Sequence, residues 1–233
     1  MNARGCFLRT VVVLTLFSVA RGFGLTGPTA VGMIVLTAIL VFVAVTAGAT
    51  AADLGLRRAD AGTGLLYGAA AAAIVLAVLA AAVVIPATQG FLEDARADIT
   101  GRQLLDEVLV SIVLLTAVPE EFAFRGVLLA AATSRWGAWR GTLVTSALFG
   151  LWHVQPTLAT MGDNPAVSGA SSSAIGRIAV VLGAVAVTFV AGLLFAWLRL
   201  RSRSLLAPVL AHVATNGAAL VAAWVALHWT ALR

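Results

Sequence analysis

The sequence predicts an all-α fold, a polytopic transmembrane helical bundle of about seven spans, within a range of six to eight. Of its 233 residues, 61% are hydrophobic and 11% are charged, whereas an average soluble domain carries about 25% charged residues. Apolar windows recur along the chain, and most reach the roughly 20 residues that a helix needs to cross a bilayer. So few charges cannot cover the surface of a soluble globule. The supply of apolar side chains also excludes intrinsic disorder.

The first apolar segment, 7–20, is short, has Arg4 before it and Arg9 near its start, and has two interpretations. Its basic start, apolar centre and small residues at 18–20 are typical of a secretory signal peptide. The same features suit a first transmembrane helix. We favour the retained helix, because the rest of the chain is polytopic.

Six further windows complete the predicted bundle. Five of them contain no Asp, Glu, Lys or Arg, namely 22–52, 61–92, 141–162, 178–198 and 204–232. The sixth, 108–134, is apolar except for Glu120, Glu121 and Arg125. In the window 61–92, small residues repeat at every fourth position, at Gly64, Gly68 and Ala72, which predicts the close approach of another helix.

The arginines predict the orientation and the partners. All fifteen basic residues are arginine, and nine of them fall on the cytoplasmic side when seven spans are counted from a cytoplasmic N-terminus. The positive-inside rule therefore predicts this orientation for a multi-pass protein of the plasma membrane. Because the arginines are scattered between apolar windows and do not share one soluble face, we expect the lipid bilayer as a partner and no nucleic acid.

The charged residues of the window 108–134 demand an explanation, because a charge at mid-membrane costs about 2.5–3.5 kcal/mol on insertion scales. Glu121 and Arg125 are four residues apart with the acid first, so they can pair on one helical face. Glu120 lies about 100° further round the helix and has no partner within its own span. Intramembrane acids of this kind are functional by default.

Two other spans carry paired polar residues at a similar depth. Phe149 and His153 are four residues apart, as are His212 and Asn216. At 1.5 Å per helical residue, Glu120, His153 and Asn216 each lie roughly 20 Å from the nearest cytoplasmic arginine, and His212 roughly 14 Å. Three helices therefore bring polar side chains to one layer of the membrane.

These three motifs together match a known family. In this order along the chain and on three of the predicted helices, E-E-x-x-x-R at 120–125, F-x-x-x-H at 149–153 and H-x-x-x-N at 212–216 resemble the CPBP family of intramembrane endopeptidases. Its members are the CAAX-protease and bacteriocin-processing, or Abi, proteins. L-G-L-R-R at 54–58 is similar to the family's usual lead-in. Each motif alone is a weak signal, but the ordered set is strong.

The resemblance implies a division of the chain and an activity. Residues 1–60 would hold N-terminal transmembrane helices and a cytoplasmic loop that are not diagnostic, and residues 61–233 a CPBP-like intramembrane protease core. The implied activity is hydrolysis of a peptide bond in a membrane-associated protein or peptide. Whether that substrate is prenylated stays open.

The resemblance also implies roles for the polar residues. Glu120 is the expected general base, and His153 shares or orients the attacking water. His212 and Asn216 are expected to donate hydrogen bonds to the oxyanion of the tetrahedral intermediate. Glu121 is either a further catalytic residue or one half of a structural ion pair.

Arg125 and Phe149 are expected to support the site structurally. No cofactor is favoured, since no H-E-x-x-H pair lies on a single helix. A divalent metal such as zinc stays open, and its ligands would be Glu120, His153 and His212.

Two other functional classes remain open. One is a catalytically silent immunity or scaffold protein that keeps the fold, against which the intact motif set argues. The other is a proton-coupled transporter that uses the same polar residues as a relay. The sequence contains no inverted repeat, which argues against the transporter.

Overall fold

The computed structural model describes residues 1–230, and these form helices with short connections and no strand. The predicted all-α class is therefore confirmed. Residues 231–233, which end the predicted window 204–232 and the predicted segment 61–233, lie outside the described residues. Seven long helices are present in the described part, which we label α1 (Ala3–Gly22), α2 (Thr29–Thr46), α3 (Ala61–Val84), α4 (101–136), α5 (138–152), α6 (Ala174–Ser202) and α7 (Leu206–Thr230).

Within the described residues, five stretches are long and apolar enough to cross a membrane. They are Ala3–Gly22, Thr29–Thr46, Ala51–Val84, Ala174–Ser202 and Leu206–His228. The two other long helices of the described part, α4 and α5, carry the E-E-x-x-x-R and F-x-x-x-H motifs. The described part thus has the predicted number of long helices, and the polar site draws its residues from α4, α7 and the end of α5.

Helices α4 and α5 follow each other with a break at one glycine. Gly137 has φ 79° and ψ 168°, a conformation that only glycine adopts readily. Within α4, the segments Glu107–Ala117 and Phe122–Leu128 have π-helical hydrogen bonding. The Val118 N–H, for example, donates to the carbonyl of Val113, five residues back. Pro119 follows and has no N–H of its own. Such widened turns are frequent at functional sites.

Helices α3 and α7 pack closely, as the small residues of α3 predict. A Cβ atom built on Gly64 would collide with the side chain of Ser204, and one built on Gly68 would lie 2.8 Å from a side-chain carbon of Leu210. The two glycines therefore give α7 access to the surface of α3. This fixes the position of α7, which carries His212.

The segment that contains L-G-L-R-R is tied to the turn between α6 and α7. Gly55 has φ 74° and accepts a hydrogen bond at its carbonyl from the Leu205 N–H at 2.8 Å. The guanidinium of Arg199 donates to the Asp53 carbonyl at 2.8 Å. This connection and the buried faces of α1, α2 and α5 together enclose the middle of α4.

Candidate active site

The carboxylate of Glu121 is the centre of a buried ionic cluster. Its side chain is 0% exposed, and its Oε1 accepts hydrogen bonds from Arg125 Nη1 at 2.9 Å and from His212 Nδ1 at 2.8 Å. The predicted pairing of Glu121 with Arg125 along α4 is confirmed. The contact with His212 also brings α7 onto α4, as the common depth of the motifs predicts.

The Arg125 guanidinium lies between aromatic rings. Its Cζ is 3.9 Å from the ring centroid of Phe149 on α5 and 5.1 Å from that of Phe195 on α6. Phe195 also stacks on the His212 imidazole with centroids 5.4 Å apart. The aromatic faces attract the desolvated cation and hold it at Glu121. Phe149 thus contacts the ionic cluster through Arg125.

Glu120 points to a different neighbour. Its Oε1 accepts a hydrogen bond from the indole N–H of Trp152 at 3.0 Å, and the two residues are each 7% exposed. Among the described residues its other oxygen, Oε2, is buried without a hydrogen-bond partner. A buried carboxylate oxygen that is left unpaired is costly unless something binds there.

His153 directly follows α5 as its C-cap residue and is anchored to the residue four positions earlier. Its Nδ1 lies 2.8 Å from the Phe149 carbonyl oxygen, and its ring packs edge-to-face on the Phe149 ring with centroids 4.6 Å apart. A ring nitrogen that faces a carbonyl carries the proton, so Nδ1–H donates and Nε2 presents a lone pair. The F-x-x-x-H spacing therefore fixes both the tautomer and the direction of the imidazole.

Some predicted residues are not joined by direct contacts. Within the described part of the chain, no hydrogen bond links Glu120 to His153, and none is made by the half-buried Asn216 side chain. Asn216 lies one turn beyond His212 on α7. Because these side chains do not bond to each other, a bound molecule can lie between them and contact more than one of them.

The described residues contain no group of three or more His, Cys, Asp or Glu side chains that could hold a metal ion. The conditional ligands Glu120, His153 and His212 are engaged separately, with Trp152, Phe149 and Glu121 respectively. In this arrangement they do not fit a shared metal.

Two residues of the site, Trp152 and Phe195, are not predicted by the sequence. Trp152 stands directly before His153 in the sequence, but nothing in the spacing of motifs indicates that its indole reaches Glu120. Phe195 lies in an otherwise apolar span, and its contacts with Arg125 and His212 have no sequence signal. Only the polar members of the site stand out against an apolar background.

Comparison with protein families supports the resemblance. Residues 106–218 match the family described as Rce1-like, type II CAAX prenyl endopeptidase Rce1-like. The matched region contains all three motifs. Comparison with curated proteins and comparison with solved structures found no match. The resemblance predicted from the motifs is confirmed: residues 106–218 are similar to the CAAX protease family.

Proposed function

We propose that this protein is an intramembrane endopeptidase that hydrolyses a peptide bond with a water activated by Glu120. One observation carries the proposal: among the described residues Glu120 has no ion-pair partner and keeps a buried carboxylate oxygen, Oε2, without a hydrogen bond, inside a helix bundle that is similar to a protease family. Glu121 also keeps an unpartnered Oε2, but its Oε1 is paired with Arg125 and His212. Of the two adjacent acids, Glu120 is therefore the one that is not held by cations and that can take a proton from a water molecule.

The reaction begins at Glu120 Oε2. A water bound there gives its proton to the carboxylate as its oxygen attacks the carbonyl carbon of the scissile bond. His153 Nε2, as an acceptor, can hold the second hydrogen of the same water and so direct its lone pair at the substrate. The π bond of the carbonyl opens, and its electron pair goes to the carbonyl oxygen.

His212 and Asn216 are proposed to stabilise the oxyanion that forms. The Asn216 side-chain N–H₂ is a donor, and His212 donates from Nε2 when both ring nitrogens carry protons. The Glu121 carboxylate lies 2.8 Å from His212 Nδ1, so Nδ1–H donates there and Nε2 is the ring nitrogen left to face the substrate.

Collapse of the intermediate completes the reaction. The oxyanion re-forms the carbonyl, the C–N bond breaks, and the leaving nitrogen takes the proton that Glu120 received from water. Glu120 is then a carboxylate again, so the cycle is closed. The products are one new carboxyl end and one new amine end.

The substrate is proposed to be a membrane-associated protein or peptide. The polar site lies among the long apolar helices, so a peptide bond must reach it from within or beside the bilayer. We propose the plasma membrane as the location, with the N-terminus in the cytoplasm, on the distribution of arginines. The residues of the site do not by themselves require a prenyl group on the substrate.

The test is cleavage of a library of membrane-anchored peptides in proteoliposomes, detected by mass spectrometry. We expect the wild-type protein to cleave and Glu120→Gln to be inactive. Glu107→Gln is the matched control, because Glu107 lies on the same helix and is exposed, and we expect it to cleave like wild type. Parallel reactions with a chelator report on a metal requirement. Equal cleavage by Glu120→Gln and wild type would overturn the proposal.

A further inference from the structure

We infer that Trp152 is a positioning residue for the general base: its indole N–H fixes the Glu120 carboxylate so that Oε2 alone faces the water. The inference rests on the proposed role of Glu120. It adds a residue that occupies an unspecified position of the F-x-x-x-H motif and that the motif itself does not require. It is drawn from the hydrogen bond of 3.0 Å between Trp152 Nε1 and Glu120 Oε1.

The hydrogen bond determines how the carboxylate presents its oxygens. A carboxylate on a flexible glutamate side chain rotates and exchanges its two oxygens unless one of them is held. With Oε1 bound to the indole, Oε2 has a single direction. Alignment of reacting groups within a fraction of an ångström is a large part of catalysis, so loss of this restraint should lower the rate of the chemical step.

The indole itself is held rigidly by packing from two helices. It stacks on Phe17 of α1, with centroids 6.0 Å apart and planes at 16°, and meets Phe124 of α4 edge-on at 5.8 Å. Trp152 is also the last residue of α5, immediately before His153. The same helix end therefore sets both the orientation of the base and the imidazole that shares its water.

Trp152 also separates Glu120 from an apolar cavity. A cavity of about 230 Å³ lies between α1 and α5 and is lined by Trp152, Phe124 and side chains such as Leu14, Leu148 and Leu151. The indole forms part of its wall, whereas Glu120 does not line it. A molecule in the cavity, such as a lipid chain, therefore meets the indole and not the carboxylate.

A second tryptophan shows that this arrangement is specific. Trp224 on α7 also donates from its indole N–H, but to a backbone carbonyl, that of Ile99, at 2.8 Å. A buried indole usually finds some acceptor, and a backbone carbonyl satisfies it. Trp152 instead uses its donor on the proposed base, where a charged acceptor makes the bond stronger.

The first test of the inference does not depend on turnover. Indole ¹H–¹⁵N resonances are recorded in detergent, and that of Trp152 is assigned by its loss in Trp152→Phe. We expect Glu120→Gln to move the Trp152 resonance, since the acceptor changes from a carboxylate to an amide, and to leave that of Trp224 in place. An unmoved Trp152 resonance would overturn the inference even if the protein proves to be a protease.

The second test separates kcat from KM. Loss of a hydrogen bond to a charged group corresponds to roughly a 10- to 100-fold lower rate. We expect Trp152→Phe to lose about that much in kcat with KM unchanged, while Trp224→Phe keeps the kcat of wild type.

An isosteric replacement guards against a packing effect. Benzothienylalanine at position 152 keeps the bicyclic shape and replaces only the N–H by sulfur. We expect it to be as slow as Trp152→Phe. Wild-type kcat in this variant would show that only the ring shape matters and would overturn the inference. If the wild-type protein cleaves nothing, the proposed function fails, and the resonance test still decides on the contact.

Discussion

Removal of the Arg125 guanidinium tests the ionic cluster most directly. Arg125→Met keeps a long apolar side chain between Phe149 and Phe195 but leaves Glu121, which is 0% exposed, without its ion-pair partner. Breaking one side of a buried pair costs about 3–5 kcal/mol. Because His212 still donates to the same Oε1 at 2.8 Å, we expect a loss near the lower end, about 3 kcal/mol.

The assay is reversible unfolding in mixed micelles, followed over a titration with denaturing detergent. Arg135→Met is the matched control, since Arg135 lies on the same helix, contacts the ring of Trp136 and is exposed to solvent or headgroups. We expect this control to change the free energy of unfolding by less than about 0.5 kcal/mol. The difference between Arg125→Met and Arg135→Met therefore measures the effect of burial and ion pairing, separate from the loss of an arginine side chain.

A double variant identifies the source of the loss. Adding Glu121→Gln removes the uncompensated charge, so Glu121→Gln with Arg125→Met should be more stable than Arg125→Met alone by about 1–3 kcal/mol. The reasoning is refuted if Arg125→Met unfolds like Arg135→Met. It is also refuted if the two substitutions are simply additive, since that would mean that the charges do not interact.

Further predictions concern packing and chemistry. Gly64→Val should lower the free energy of unfolding by about 1–3 kcal/mol, because the new side chain collides with Ser204. Gly62→Val meets nothing within 4 Å and should keep the folded yield of wild type. Asn216→Ala should lower kcat by roughly 10²–10³ and leave the thermal midpoint unchanged, since its side chain makes no hydrogen bond among the described residues. His153→Ala should lower kcat by roughly 10²–10⁴; a smaller change in either enzyme variant would remove that residue from the mechanism.

The sequence predicts much of this fold because polar and charged groups are costly inside a membrane unless they are paired. Apolar windows of spanning length predict the bundle, and the charges left inside it must find partners. That is why the pair Glu121–Arg125 and the convergence of the motifs on α4 and α7 follow from spacing alone. The close contact of α3 and α7 at Gly64 and Gly68 follows in the same way from small residues at every fourth position.

What spacing does not predict are contacts between helices at the level of single atoms. Trp152 is 32 residues from Glu120, and the direction of its indole depends on how α5 ends and how α1 packs against it. Phe195 is one of many apolar residues of α6, and only the position of that helix brings it onto Arg125. The π-helical turns of α4 also change the direction in which its side chains point around the helix axis. No residue pattern in the segment predicts these turns.

The adjacent glutamates of α4 illustrate how one motif can serve two physical ends. Successive helical residues differ by about 100°, so Glu120 and Glu121 must face different surroundings although they share a depth. Glu121 faces Arg125 and His212 and holds the imidazole, whereas Glu120 faces Trp152, which occupies one of its oxygens. A single carboxylate could not both hold His212 and accept a proton from water, because protonation would weaken the pair that it supports. Two carboxylates one position apart separate these duties, and this separation is the physical reason to expect that Glu120→Gln abolishes turnover while leaving the ionic cluster intact.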